Sequence, residues 1–239
     1  TGLTISVTMD DTGGTVEKSD GSIDTYAGVD LLDPNSDMDS VEFEGGDGND
    51  TFTIRQSDRL FFLAVGGGGD NRYEVVEFEG FNAQFRARYQ DAQAAITYTN
   101  DGGQRVSGTV TGGDGGVDTL VNLSAISGTA FADTFIGGSG VEEFRGEGGD
   151  DIIDTGGGDD GIYGGDGSDQ VSLRDGCGYI EGSTGSDTVT FTSVSDRVGS
   201  YTDYSRTGLT INVNLNDTGG TVTKSDGSVD TYTGIDLLN

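Results

Sequence analysis

From Gly128 the chain divides, without insertion, into seven consecutive blocks of nine residues: GTAFADTFI, GGSGVEEFR, GEGGDDIID, TGGGDDGIY, GGDGSDQVS, LRDGCGYIE and GSTGSDTVT. Position eight is apolar every time, as Phe135, Phe144, Ile153, Ile162, Val171, Ile180 and Val189. Position six is Asp133, Glu142, Asp151, Asp160, Asp169, Gly178 and Asp187, acidic in all but one block. Position four is Gly except at Phe131. This phase-locking dictates a geometry. Six residues rich in Gly and closing on an acid make a tight turn, because Gly takes positive φ without strain. The remaining three make a short strand with one inward side chain. Two blocks then close one coil of a flattened solenoid, with position-eight side chains filling the space between two parallel sheets. The expected fold is all-β: a parallel β-roll (β-solenoid) with flanking strand segments.

A damaged version lies upstream. GGDGNDTFT at 45–53 matches fully, and GGGGDNRYE at 66–74 matches with Asn71 in the acidic place. Between them, 54–62 keeps Phe61 at position eight but lacks glycines, and an extra Leu63-Ala64-Val65 shifts the phase by three. A longer repeat frames both. Residues 1–33 and 207–239 align without a gap at an offset of 206. A third, diverged copy centres on Asp118, and the anchor Val/Ile-Asp-Thr recurs at Asp24, Asp118 and Asp230. Such a long period predicts tandem units that support their neighbours. The expected divisions are a strand and turn segment at 1–35, a short degenerate roll at 36–80 and a diverged β segment at 81–127. The main roll follows at 128–190, a connecting strand at 191–206 and the start of the next unit at 207–239. The opening Thr1-Gly2-Leu3, with no initiator Met or signal peptide, predicts a piece of something longer.

Charge decides what completes such a fold. There are 42 acids against 12 bases, a formal net charge of −30, and only 32% apolar residues, against roughly 45–50% in ordinary globules. Such a chain either stays disordered or needs something cationic. Disorder does not require phase-locked apolar residues, so the second reading is preferred. Phosphates and anionic membranes would be repelled, which argues against nucleic acid and membrane partners. No run of about 18 apolar residues is present for membrane insertion. One cysteine, Cys177, excludes an internal disulfide and reads as an unused thiol or small packing residue.

The blocks resemble the hemolysin-type calcium-binding nonapeptide of RTX proteins, GGxGxDxUx with U apolar, well over the seven contiguous blocks and more loosely upstream. Blocks one, three, five and seven share one side of such a roll and stack Asp133, Asp151, Asp169 and Asp187. The others stack Glu142, Asp160 and Gly178. Carboxylates about 5 Å apart repel strongly unless a cation lies between them, and Ca2+ accepts irregular sets of hard oxygens. The resemblance implies ions between same-side turns, held by these acids and by loop carbonyls such as those of Gly146, Gly148, Gly149, Gly164, Gly165 and Gly167. It places three ions in the first column and a weaker one between Glu142 and Asp160. Asp50 and Asn71 would hold a further ion less tightly, giving roughly four to six in all. Asp24, Asp114, Asp118 and Asp230 read either as ligands or as turn formers.

Asp150-Asp151 and Asp159-Asp160 look like catalytic pairs, but the turn motif already accounts for Asp151 and Asp160. No His is available as a base and no nucleophile motif stands out, so no enzymatic activity is expected. Phe81, Phe85, Arg86, Arg88 and Tyr89 form the only basic-aromatic cluster; its alternation predicts a half-buried strand rather than a partner-binding patch. The RTX resemblance implies a secreted or cell-surface bacterial protein, exported unfolded through a type I channel and folded by calcium outside. A calcium-stiffened rod of tandem units in an adhesin or surface-layer protein is the expected role. A module binding a surface glycan or protein, and an accessory domain of a secreted hydrolase or toxin, are the alternatives.

Overall fold

Glycine-rich turns separated by three or four strand-forming residues leave no stretch long enough to nucleate a stable helix. The computed structural model is all-β, with no helix among the described residues, and hence none there long and apolar enough to cross a membrane. The described residues are 5–10, 13–18, 23–27, 40–55, 61–76, 84–174, 178–181, 184–192, 201–203, 211–216 and 218–234. Phe81 and Cys177 lie outside them.

The chain opens on an antiparallel three-stranded meander, β1 (Ile5–Asp10), β2 (Gly13–Lys18) and β3 (Ile23–Ala27). The upstream ladder follows as β4 (Ser40–Glu44), β5 (Thr51–Arg55), β6 (Phe61–Val65), β7 (Arg72–Val76) and β8 (Gln84–Arg88). A second meander is β9 (Ile96–Asn100), β10 (Val106–Gly112) and β11 (Val117–Leu123). The downstream ladder begins with β12 (Ala125–Ser127), β13 (Thr134–Ile136), β14 (Glu143–Arg145), β15 (Ile152–Asp154) and β16 (Asp160–Tyr163). It continues with β17 (Gln170–Leu173), β18 (Gly178–Glu181), β19 (Thr188–Phe191) and β20 (Tyr201–Asp203). A third meander, β21 (Ile211–Asn216), β22 (Gly219–Lys224) and β23 (Val229–Thr233), follows it.

These strands make two open sheets. Within each ladder the chain alternates between them, strand by strand, and every ladder neighbour is parallel. In the downstream ladder the register advances by two nine-residue blocks. Phe135, Ile153, Val171 and Val189 align in one sheet, and Phe144, Ile162 and Ile180 in the other. All seven are 4% exposed or less, so the position-eight pattern names the core of this ladder. Each such burial contributes about 1.5–3 kcal/mol, which makes a thin core for so acidic a chain.

The upstream ladder has a longer coil. Ser40 pairs with Phe61 and Thr51 with Arg72, so the extra Leu63-Ala64-Val65 lengthens the coil instead of interrupting it. Phe62 is buried there (0% exposed), in register with Phe85; the side chain of Phe61, expected at position eight, lies outside the described residues. Phe52 and Tyr73 stack at 5.2 Å inside the same core.

All three meanders insert into the larger sheet, whose order is β21-β22-β23-β19-β17-β15-β13-β9-β10-β11-β7-β5-β1-β2-β3. The smaller sheet runs straight past the second meander, through β8, β12 and β14. The turns that connect the sheets pack backbone on backbone. At Gly158 (φ 120) and Gly167 (φ 140) a Cβ would collide with the carbonyls of Gly140 and Gly149 in the preceding coil, so only Gly fits.

Candidate metal site

The acidic position-six residues face inward at the turns, and the stacking expected of them is present. Asp133, Glu142, Asp151, Asp160, Asp169 and Asp187 are all 7% exposed or less. Each coil is tied to the next by one repeated bond: the carboxylate Oδ1 accepts the backbone N–H of the acid in the coil before it. Asp151 Oδ1 accepts from Asp133 N (2.7 Å), Asp169 Oδ1 from Asp151 N (3.0 Å) and Asp187 Oδ1 from Asp169 N (3.0 Å). On the other side Asp160 Oδ1 accepts from Glu142 N (3.0 Å), and Gly178 pairs beyond it.

The ladder extends to residues for which sequence reasoning left two readings open. Asp230 Oδ1 accepts from Asp187 N (3.0 Å), and Asp118 Oδ1 accepts from Asn71 N (2.7 Å). Both are therefore terminal rungs contributed by the last strand of a meander. The side chain of Asp24 lies outside the described residues, and Asp114 accepts from Gln93 N at the exposed surface (3.0 Å).

The second carboxylate oxygen separates the turns into two kinds. In the first kind it is satisfied locally. Asp133 Oδ2 accepts from Thr129 N (2.6 Å), Glu142 Oε2 from Gly138 N (2.6 Å) and Asp50 Oδ2 from Gly46 N (2.9 Å). In the second kind it is buried with no donor in hydrogen-bond geometry: Asp151 Oδ2, Asp169 Oδ2 and Asp160 Oδ2, although the Thr155 hydroxyl lies close enough to Asp160 to oppose its upward shift. The difference lies in the backbone at position two. Glu147, Gly156 and Gly165 occupy it in these three turns with φ of 74, 73 and 101. Positive φ turns that N–H away from the carboxylate. For Glu147, a non-glycine residue, this conformation costs of order 1–3 kcal/mol.

A buried carboxylate oxygen without a donor is costly unless something cationic meets it. Oxygens already crowd this point: a Cβ on Gly146 would strike both Asp151 Oδ2 and the Gly164 carbonyl oxygen, so only glycine lets these two oxygens approach from adjacent turns. Gly148 bridges to Asp166, and Gly149 donates to the Asp166 carbonyl (2.8 Å), holding adjacent turns together. Among the described residues no three His, Cys, Asp or Glu side chains converge on one metal position. A cation here would have to draw most of its ligands from backbone carbonyls, which suits calcium's preference for many hard oxygens. The Asp50–Asn71 step shares the close approach, since a Cβ on Gly45 would strike Asp50 Oδ2 and the Gly66 carbonyl oxygen, but differs in that Gly46 N already satisfies Asp50 Oδ2.

Burial and like charges load the same residues. Burial pushes the Asp151 carboxyl up from 3.8 to about 8, opposed by the Asp133 N–H and reinforced by Asp169, Asp133 and Asp150. Burial likewise raises Asp160 and Asp169 to about 7, with Glu142 adding to the first and Asp187 to the second. Asp133 and Glu142 rise as well, chiefly through burial. A raised folded-state value means that protonation favours the fold. In the metal-free chain that contribution is complete below about pH 4 and is lost as pH rises through 7 to 8, where Asp160, Asp169 and Asp151 ionise. Metal-free protein is therefore expected to show more strand signal in circular dichroism at pH 5 than at pH 8. The reverse order would contradict the burial described.

Lys224 is a residue that sequence reasoning passed over. Its Nζ is wholly buried, 2.8 Å from Asp230 Oδ1, 3.4 Å from Asp187 Oδ2 and 2.9 Å from the Gly185 carbonyl oxygen. The chain supplies its own cation at this last step of the column. Its signal was the identical KSDGS between the second and third strands of both outer meanders, which places Lys18 at the equivalent point. The basic-aromatic cluster is internally committed, as a half-buried strand would be. Phe85 and Ala87 are buried, Arg86 pairs with Glu143 (2.9 Å) and Arg88 pairs with Glu42 and Gln90.

No protein-family model matches the chain, and no curated protein is similar enough to stand as a relative.

Proposed function

We propose that this chain is a calcium-folded parallel β-roll segment of a secreted or cell-surface protein, and that its units form a stiffened, adhesin-like or surface-layer-like array. The observation that carries this reading is the pair of buried carboxylate oxygens without donors at Asp151 and Asp169, with Asp160, beside the Thr155 hydroxyl, in a turn of the same backbone type. Strands that alternate between two sheets, with parallel neighbours throughout the ladders, support the roll. The near-identical segments 206 residues apart support the array. Calcium would supply positive charge to carboxylates that otherwise repel one another; the chain supplies the turns, the carbonyls and the apolar strip. Binding energy would then be folding energy, low in a calcium-poor cytosol and high outside. The reading assigns the chain no catalytic role.

Calorimetric titration with calcium chloride tests it. Asp151→Asn and Asp169→Asn should each abolish or weaken at least one ion about tenfold, because each removes an unpartnered oxygen. Asp133→Asn, whose oxygens already accept from Ile96 N, Thr129 N and the Thr129 hydroxyl, should leave the stoichiometry unchanged. Absence of saturable binding, or equal losses in all three variants, would refute the assignment.

A further inference from the structure

The three meanders are used in one orientation, and that orientation has a consequence at the two sheet ends. In the second meander, the last strand β11 pairs in parallel with upstream β7, and the first strand β9 pairs in parallel with downstream β13. It is a joint between two ladders. The outer meanders each show half of this arrangement. In the third, the last strand β23 pairs with upstream β19, while the far edge of its first strand, β21, ends the sheet. In the first, the first strand β1 pairs with downstream β5, while the last strand, β3, ends the sheet. These two meanders are the copies related by the 206-residue offset. The edge left open in one copy is the edge engaged in the other.

A second observation agrees. Val7 of β1 lies in register with Phe52 and is 0% exposed. Its equivalent in β21, Val213, is 53% exposed. The smaller sheet repeats the arrangement. It ends on β4 at one side and β20 at the other, whereas around the second meander β8 and β12 pair directly across the joint.

We infer that the meander at 207–239 is a shared joint, and that its open β21 edge is the docking site for the β5-equivalent strand of a following copy of this unit. The β4-equivalent strand of that copy pairs with β20. Consecutive units then form two unbroken sheets rather than beads on linkers, and Val213 is buried against the following copy's counterpart of Phe52. The inference rests on the tandem-array reading and is independent of calcium stoichiometry.

The experiment compares residues 1–239 with the same chain followed directly by a second copy of 34–239, each with and without Val213→Asp in the first copy. Thermal unfolding in saturating calcium and small-angle scattering are measured. In the single chain the substitution, at a half-exposed site, should shift the midpoint by only about 1–2 °C. In the two-unit chain it should lower the midpoint of the joint by about 5 °C or more, because it places an unpaired carboxylate inside a sheet. The parent two-unit chain should scatter as one rod, longer than the single chain by about 40–60 Å, the span of the strands added to the two sheets at roughly 4.8 Å each. Equal small shifts in both chains, with two separately tumbling folded bodies, would overturn the shared joint while leaving the array reading in place. A second copy that fails to fold beside the first would overturn both.

Discussion

Chelating free calcium at pH 8 should unfold the calcium-loaded chain, with loss of most strand signal in circular dichroism. At that pH the carboxyls of Asp160 and Asp169, raised to about 7, are mainly ionised, and Asp151, raised to about 8, is half so. Asp151 and Asp169 are stacked and buried in consecutive coils, joined by an Oδ1 bond, and Asp160 is buried in the other column against Glu142. An ion held at a thousand times its dissociation constant contributes about 4 kcal/mol to stability. Three such ions supply on the order of 10 kcal/mol, as much as the whole net stability of a typical domain. The apolar strip between the sheets is one side chain wide per strand, so little remains to offset its loss. The radius of gyration should rise toward ~50 Å, the value for an unfolded chain of this length. Returning calcium should restore the spectrum. Chelation at pH 5 should be milder, since protons then neutralise the same oxygens. A spectrum and radius indifferent to chelation at pH 8 would mean that the acids are accommodated without metal, and the functional reading would fail.

The parts of this architecture that depend on side-chain type were legible in the sequence, and the parts that depend on backbone conformation were not. Position eight named the seven buried core residues of the downstream ladder because a three-residue strand has room for one inward side chain. Position six named the stacked acids because a fixed nine-residue period puts every second block on one side. In the upstream ladder the coil is three residues longer, which the nine-residue phase did not foresee, and the buried aromatic described there is Phe62. The distinction between satisfied and unsatisfied carboxylates was hidden altogether. It turns on the φ of Glu147, Gly156 and Gly165, and nothing in the identity of Glu147 announces a left-handed conformation. Lys224 was hidden for a different reason. It is far in sequence from Asp187, and only the pairing of β23 with β19 brings the meander's lysine onto the acidic column.

That lysine gives the second large expected effect. Lys224→Met should destabilise the chain by about 3–5 kcal/mol, the usual cost of removing one partner from a buried charge cluster. On the proposed reading a free cation would come and go between the coils of the ladder, whereas at the last step the ammonium is tethered, wholly buried and shared by Asp187 and Asp230. Burial already pushes the Asp187 carboxyl up to about 6, with Asp230 raising it and Lys224 opposing. Without the ammonium, two buried carboxylates face one another uncompensated, and Asp187 no longer holds β23 against β19 at low cost. The thermal midpoint should fall by roughly 10 °C or more. Asp230→Asn added to Lys224→Met should recover more than half of that loss, because the penalty comes from unpaired charge rather than lost packing. High calcium should also rescue the single variant in part, since the vacated position is lined by the oxygens of Asp187, Asp230 and Gly185. If the double variant instead loses the sum of the two single effects, Lys224 acts by packing its aliphatic stem, and its role as a built-in substitute for a metal ion is wrong.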